Sequence, residues 1–383
     1  MPPPSTSKKL WLTLKWLPAY LRQRMVRRPL TSGKVHLIFA LADHFEPAIF
    51  PGSPGQAAEH SVQLERVERW CREYPRALDA FRDSDGCRFR HTFFYPAEQY
   101  DEEIVSRIAE HCRAGWGELE IHLHHGIHQP DTPENTRRIL LEYVERLVRH
   151  GSLSRLDGNG LVRYAFVHGN WALANSAKGR YCGVDEEMKI LAETGCFADF
   201  TLPSAPSPAQ VSKINSLYEC ALPLEQRAPH RRGHDLRQGH PPAIFPLIVQ
   251  GPLMVIFRGR RNGLLLPGIE NAEVSGANPA TRARLRLWRE AAICVQGRPD
   301  WVFIKLHCHG MDPRDEAAMY GAPMQNFLQD LKEGGKNGEN YRLHFTTARE
   351  MTNIILAVCD GQSGDPGEFR DYRFKLITPV PMP

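Results

Sequence analysis

The sequence has no C-x-x-C pair among its nine cysteines and no apolar run long enough for a secretory signal near its start. An odd, scattered set of cysteines is not typical of a disulfide framework or of a zinc knuckle. Lys15 and Pro18 interrupt the apolar residues of the N-terminal stretch, and no small-residue cleavage site follows. We therefore expect a cytoplasmic protein.

Three further absences narrow the function. The sequence lacks the glycine-rich loops of nucleotide-binding folds, which argues against nucleotide cofactors held in the usual ways. It also lacks G-x-S-x-G, so a serine hydrolase has little support. A net charge of +4 over 383 residues is too small to indicate nucleic acid as a partner. What remains is an enzyme-sized chain of ordinary globular composition.

Residues 1–31 form a basic amphipathic segment ahead of a single domain at 32–383. Residues 8–28 contain Lys and Arg but no acid, and Trp11 and Trp16 are interleaved with leucines. Such a segment could make peripheral contact with an anionic membrane surface. The alternative is an arm packed on the domain with its charges in solvent, which Pro18 favours because it would break a long helix.

After residue 32, apolar runs of strand length alternate with helical patterns. The stretch near 203–245, rich in Pro, Arg and His, is predicted to be a long loop. The alternation predicts an α/β fold with a parallel sheet, either open or closed into a (β/α) barrel. Because polar clusters follow five predicted strands, as in barrel enzymes, we favour the barrel. These clusters are Asp43-His44, His124-His125-His128, His168-Asn170, Asp199 and His307-His309.

The densest of these clusters is EIHLHHGIHQP at 120–130. His124 and His128 are four residues apart, so a helical turn or a tight bend can place both imidazoles at metal-ligand distance. Imidazole binds Zn²⁺, Co²⁺, Ni²⁺ and Fe²⁺ alike. A polar loop with hydrogen-bonded histidines is the alternative. Asp43 ends a buried strand, where a cation or a network must compensate its charge, unless it caps the next turn.

These residues resemble the polysaccharide deacetylases, the carbohydrate esterases with the NodB-homology domain. EIHLHHGIHQP is similar to their motif EIGNHTxxHP, and VFIKLHCHG (302–310) to their late LxxH motif. The resemblance covers about residues 34–310 through short motifs. It implies the family's distorted seven-stranded barrel and one divalent metal ion, most often zinc, held by His124, His128 and a group at Asp43-His44. It also implies that His307 protonates the leaving amine.

The first motif departs from the family's TFDDG, because LADHF stands in its place. In one register Asp43 is the general base and His44 a metal ligand. In the other, Asp43 is the ligand and Glu46 is the substitute base. The family's arginine-containing motif is missing, and YAFVHGNWAL stands there instead. The remaining candidates, for binding substrate, are His168, Asn170, Trp171, Asp199 and His309.

The function that the resemblance implies is metal-dependent removal of an N-acetyl group from a sugar or polysaccharide precursor. An N-acetylated carbohydrate would then be the substrate. Two alternatives remain open at this point. One is another metal-dependent amide or glycosidic hydrolase on the same barrel, and the other is an inactive barrel that only binds sugar.

Overall fold

The computed structural model describes residues 12–27, 30, 34–51, 56–156, 160–261, 264–336 and 341–375. The strands are β1 (Val35–His44), β2 (His91–Pro96), β3 (Gly117–Leu123), β4 (Tyr164–His168), β5 (Cys196–Asp199), β6 (Leu217–Cys220), β7 (Gly233–Asp235), β8 (Leu247–Val249), β9 (Met254–Arg261), β10 (Leu264–Glu270), β11 (Glu273–Val274), β12 (Trp301–Cys308) and β13 (Tyr341–Thr346). The helices are α1 (Leu17–Val26), α2 (His60–Leu78), α3 (Glu102–His111), α4 (Pro133–Arg149), α5 (Glu187–Thr194), α6 (Arg282–Glu290), α7 (Glu316–Tyr320), α8 (Ala322–Lys336) and α9 (Ala348–Cys359).

The α/β fold expected from the sequence is present as one large, mostly parallel sheet. Its parallel strands are ordered β11-β12-β1-β2-β3-β4-β5-β8, and β13 pairs with the first half of β1. The short strands β6 and β7 extend the sheet in antiparallel fashion beyond β8, whereas β9 and β10 form a separate hairpin. The carboxyl ends of the parallel strands therefore lie along the same side of the sheet.

Closure of the sheet into a barrel stays a prediction. Among the described residues, no backbone ladder joins β8 to β12. Two other contacts link β12 to the segments that follow β5 and β8: Lys305 Nζ donates to the carbonyl of Leu202 at 2.8 Å, and Gly251 lies against the backbone of Lys305. A Cβ on Gly251 would stand 2.2 Å from the Lys305 carbonyl oxygen, so only glycine fits this approach.

Different helices pack against the two faces of the sheet. The outer face carries Leu37, Phe39 and Leu41, and packs against apolar residues of α2 to α6 and α8. The inner face carries Ile38, Ala40 and Ala42, and packs against α9. All twelve residues of α9 are buried, and the helix begins with a capping box between Thr347 and Glu350. The strict alternation along β1 means that neighbouring side chains face different surroundings.

The N-terminal segment is packed on the domain where the structure describes it. Leu12 is buried, and Trp16 is buried in a small cluster with Ala205, Ile214 and Leu253. Pro18 occupies the first turn of α1, where a missing N–H costs nothing, so the proline does not interrupt this helix. Trp11 and residues 8–10 lie outside the described residues. No helix in the described ranges is long and apolar enough to cross a membrane.

Candidate metal centres

Three side chains converge at the carboxyl ends of β1 and β3, on the inner face of the sheet. His44 ends β1, Glu46 follows it after one residue, and His122 lies near the end of β3. Their ligand atoms all lie within 4.8 Å of one another. We call these three residues the inner group. Two imidazoles and a carboxylate are a donor set that zinc enzymes use.

The hydrogen bonding of His122 leaves the lone pair of its Nε2 facing the carboxylate of Glu46. Its Nδ1 lies 2.8 Å from the carbonyl oxygen of Val167, which can only accept, so Nδ1 carries a proton. In the neutral ring Nε2 is then an acceptor, yet it lies 3.1 Å from Glu46 Oε1, another acceptor. Two acceptors at this distance require a proton or a cation between them. The inner group therefore fits a metal ion.

His44 supports the same conclusion. Its Nε2 is buried and has no hydrogen-bond partner within the described part of the chain. Burial, together with the nearby imidazoles of His309 and His122, holds the pKa of His44 well below its usual range. The ring is therefore neutral, which is the form that binds metals. Burial raises the pKa of Glu46, but the imidazoles of His122, His124 and His309 around it outweigh burial and lower the pKa to about 2, so the carboxylate is ionised.

His124 lies beside the inner group and is oriented by Glu98. Its Nδ1 is 2.7 Å from Glu98 Oε1, and its backbone N–H donates to Glu98 Oε2. The imidazole therefore presents Nε2 towards Glu46, at 3.6 Å from Oε1. Glu98 belongs to the turn after β2, and the sequence offered no motif that would have marked it.

Asp43 faces away from the inner group. Its carboxylate accepts from His91 Nδ1 at 2.9 Å and from the backbone N–H of Gly310 at 2.7 Å, and it is fully buried on the outer side of β1. A Cβ on Gly310 would lie 2.3 Å from Asp43 Oδ2, so this glycine permits the contact. With Cys308, Asp43 and His91 form a further set with metal-ligand spacing. The structure thus separates Asp43 from His44.

The late-motif histidines lie across the site from β3. The ring centroid of His309 is 4.8 Å from that of His44, and the centroid of His307 is 6.1 Å from it. His307 is buried with Nδ1 unpartnered among the described residues, and burial with the charge of Lys305 holds its pKa well below its usual range. His309 is only half-buried. Both predicted residues are thus next to the inner group.

The other predicted site residues lie elsewhere. His128 is exposed in the loop before α4, and the described sets with metal-ligand spacing include neither it nor His124. His168 is fully buried on the outer face. Asp199 is also fully buried, hydrogen-bonded to Thr201, with its pKa raised to about 7 by burial. Asn170 and Trp171 are half-buried in a turn after β4.

A second set of ligand-type side chains lies behind the first, on the outer side of β3 and β4. It consists of His125, His168, Cys182 and Glu187, all buried, with their ligand atoms within 4.8 Å of one another. We call these four residues the outer group. Cys182 and Glu187 were not predicted, because only the folded loop between β4 and α5 brings them to the histidines.

Comparison with known proteins gives little outside support. No protein-family model matches the sequence, and no curated protein matches it. A solved structure, of a "putative polysaccharide deacetylase" from Mycobacterium smegmatis, is similar to this chain. The similarity has 15% sequence identity and a TM-score of 0.42, and covers 87% of this chain and 93% of that chain. At this level it carries no argument about activity, so the function must be argued from the residues themselves.

Proposed function

We propose that the chain is a metal-dependent hydrolase that removes an N-acetyl group from a carbohydrate. The observation that carries the proposal is the inner group, in which His122 Nε2 and Glu46 Oε1 face each other as acceptors beside His44 Nε2, which has no hydrogen-bond partner among the described residues. Its position at the carboxyl ends of parallel strands is where α/β enzymes place their sites. The carbohydrate substrate follows from the motif resemblance.

His44, Glu46 and His122 would hold the ion. From the first register of the first motif we keep His44 as a ligand but not Asp43 as the base, since Asp43 is engaged by His91 and Gly310. Glu46, the substitute base of the second register, is assigned to the metal instead. Zinc suits two imidazoles and a carboxylate, although Co²⁺, Ni²⁺ and Fe²⁺ would also bind. When bound, such an ion polarises the amide carbonyl and lowers the pKa of water.

Proton transfer would then fall to the histidines around the inner group. Glu98 orients His124 so that its Nδ1 proton points to Glu98 and its Nε2 faces the inner group. Nε2 can therefore hold or release a proton next to the bound substrate. His307 is neutral at rest, because burial and Lys305 oppose its charged form and so lower its pKa. A neutral imidazole can first accept a proton and then return it to the departing amine. His309 stands close enough to share this role.

The decisive test is acetate release from N-acetylated oligosaccharides by the purified chain. We expect His44→Ala and His122→Ala each to abolish release and to lower the metal content by one equivalent. His307→Ala should reduce kcat by about 10²–10⁴-fold with the metal retained, since it removes a proton-transfer group.

His128→Ala is the matched control, because this exposed histidine stands six residues after His122. If His128→Ala keeps full activity and full metal content, the metal site is the inner group and not the pair His124 and His128 expected from the motif. Loss of both in His128→Ala, with both retained in His122→Ala, would contradict the assignment. A wild-type chain that binds metal and oligosaccharide without releasing acetate would be a sugar-binding protein, not a deacetylase.

A further inference from the structure

We propose that the outer group binds a second metal ion of the zinc class, with a structural role. This inference does not depend on the proposed hydrolase activity. The four ligand atoms are His125 Nε2, His168 Nε2, Cys182 Sγ and a carboxylate oxygen of Glu187. The two histidines come from the ends of β3 and β4, and the other two residues come from the loop and helix that follow β4.

Both imidazoles of the outer group have their second nitrogen occupied as a donor. His125 Nδ1 lies 2.8 Å from a carboxylate oxygen of Asp131, and His168 Nδ1 lies 2.6 Å from the carbonyl oxygen of Gly169. Carboxylates and carbonyls only accept, so each Nδ1 carries a proton. A metal-bound histidine usually donates its other N–H in this way, to a carboxylate or to a backbone carbonyl.

The other two nitrogens face each other without enough protons to satisfy them. His125 Nε2 lies 3.0 Å from His168 Nε2, and Glu187 Oε1 lies 2.9 Å from the first and 3.2 Å from the second. A single proton on one Nε2 leaves the other facing acceptors, and protons on both place two buried cations side by side. One cation at the centre satisfies all three atoms at once.

The composition of the outer group suits a closed zinc site. Cys182 Sγ lies 3.6 Å from the Glu187 carboxylate, at Oε2, and the ligand atoms of all four residues lie within 4.8 Å of one another, so small movements would bring them to the roughly 3.3–3.8 Å that separates ligand atoms in a tetrahedral zinc site. Thiolate, imidazole and carboxylate are all zinc ligands, and four protein ligands leave no position open for water. Cys182, His168 and Glu187 have no exposed surface. A closed site of this kind stabilises a fold and does not meet substrate.

An ion here would fasten two loops that border the inner group. Backbone hydrogen bonds already join them: Tyr181 donates to Gly126, and Asp131 donates to Cys182. The loop after β4 places six non-glycine residues in the left-handed region, which is unfavourable for side chains with a Cβ and persists only where the surrounding structure constrains the backbone. These residues are Asn170, Trp171, Ala174, Asn175, Lys178 and Tyr181.

The same loop also touches the inner group's neighbour. Gly169 passes so close to His124 that a Cβ on it would lie 2.3 Å from the imidazole. By fixing the loop after β4, the outer ion would therefore also help to fix the position of the His124 ring, which Gly169 contacts.

Cobalt substitution tests the proposal on the full chain. Thiolate bound to Co²⁺ gives a strong near-ultraviolet charge-transfer band, and Cys182 is the only thiol in either group. We expect two Co²⁺ per chain and this band in the wild type. Cys182→Ser should lose the band, whereas Cys220→Ser, a change at an equally buried cysteine outside both groups, should keep it. A wild type without the band, or a band that survives in Cys182→Ser, would overturn the proposal.

Zinc-edge X-ray absorption provides the measurement that does not need a Cys182 variant. In His44→Ala/His122→Ala, which lacks the inner site, the remaining zinc should show one sulfur at ~2.3 Å and lighter ligands at ~2.0–2.1 Å. A spectrum without sulfur, or a double variant without zinc, would be inconsistent with the outer site. Loss of acetate release in this variant with its zinc–sulfur signal intact would separate the two sites experimentally.

Discussion

The inner and outer groups are built from the same kinds of side chain but differ in access to solvent. In the inner group His44 and His122 are buried, but the Glu46 side chain is 14% exposed, and the neighbouring His124 and Glu98 side chains are 16% and 28% exposed. In the outer group, by contrast, His168 and Glu187 are 0% exposed. An accessible set with three protein ligands leaves a position for substrate, whereas a sealed set with four does not.

The difference arises from the alternation of side chains along the strands. His122 and His124 share one face of β3, and His125 turns to the other side, where α5 and the loop before it cover it. Two histidines of the same motif, His122 and His125, thus belong to different groups. A cluster that looks like a single metal site in the sequence divides into a candidate catalytic centre and a candidate structural one.

The largest expected contrast between the two groups is in stability. A metal bound at a thousandfold excess over its Kd contributes about 4 kcal/mol, which at roughly 2 °C per kcal/mol corresponds to a Tm change of roughly 8 °C. We expect Glu187→Gln to lower the Tm by about this amount, and exhaustive chelation, which removes both ions, to lower it further. His122→Ala should lower the Tm less than Glu187→Gln, because an ion held by three ligands in a more open site binds more weakly than one held by four, although His122→Ala abolishes activity. Differential scanning calorimetry with and without added Zn²⁺ measures both effects.

If Glu187→Gln and His122→Ala lowered the Tm equally, the outer group would not be more important for stability than the inner group, and its assignment as the structural centre would be wrong. Glu186→Gln is the matched control, because Glu186 precedes α5 outside the described hydrogen bonds of the outer group. Its Tm should stay within about 1 °C of the wild type, as for most surface substitutions.

A smaller effect should separate Asp43 from the inner group. Asp43→Asn keeps the shape but removes the charge that His91 and Gly310 N–H now contact, at a cost of about 2 kcal/mol for a buried charge-assisted hydrogen bond. The expected result is a Tm lower by roughly 4 °C with unchanged metal content. Should Asp43→Asn lose one equivalent of metal at an unchanged Tm, Asp43 would be the ligand, as one register of the first motif predicts.

Much of the fold could be predicted, because it depends on local patterns. The apolar run at 35–42 lies within β1, and the helix predicted from Pro133 to just before Gly151 is α4, with Thr132 accepting at its N-cap. The segment at 203–245 was predicted as loop, yet it contains the short strands β6 and β7. Their formation depends on pairing with β8, which the local sequence does not encode.

The candidate site was only partly predictable for the same reason. His44, Glu46 and His307 were identified from their places after strands, and the structure brings them to one end of the sheet. His122 was overlooked because it lies inside β3, although it shares a face with His124. Glu98 and Cys182 come from turns whose position depends on the packing of whole strands and helices. No spacing rule along the sequence connects them to their histidine partners.

The smallest expected effect is on kcat and comes from substitution of Glu98, which contacts His124 beside the inner group. Glu98→Gln preserves a hydrogen-bond acceptor for His124 Nδ1 but removes the negative charge that stabilises the protonated ring, so it should lose only part of the roughly 10²–10⁴-fold that a proton-transfer group contributes. We expect kcat for acetate release to fall by about 10-fold, with the Tm and the thiolate-to-cobalt band unchanged. Glu134→Gln, an exposed position in the first turn of α4 and a member of neither group, is the control. If Glu98→Gln altered the cobalt band and left kcat intact, Glu98 would act on the outer centre, and the division between the two groups would be wrong.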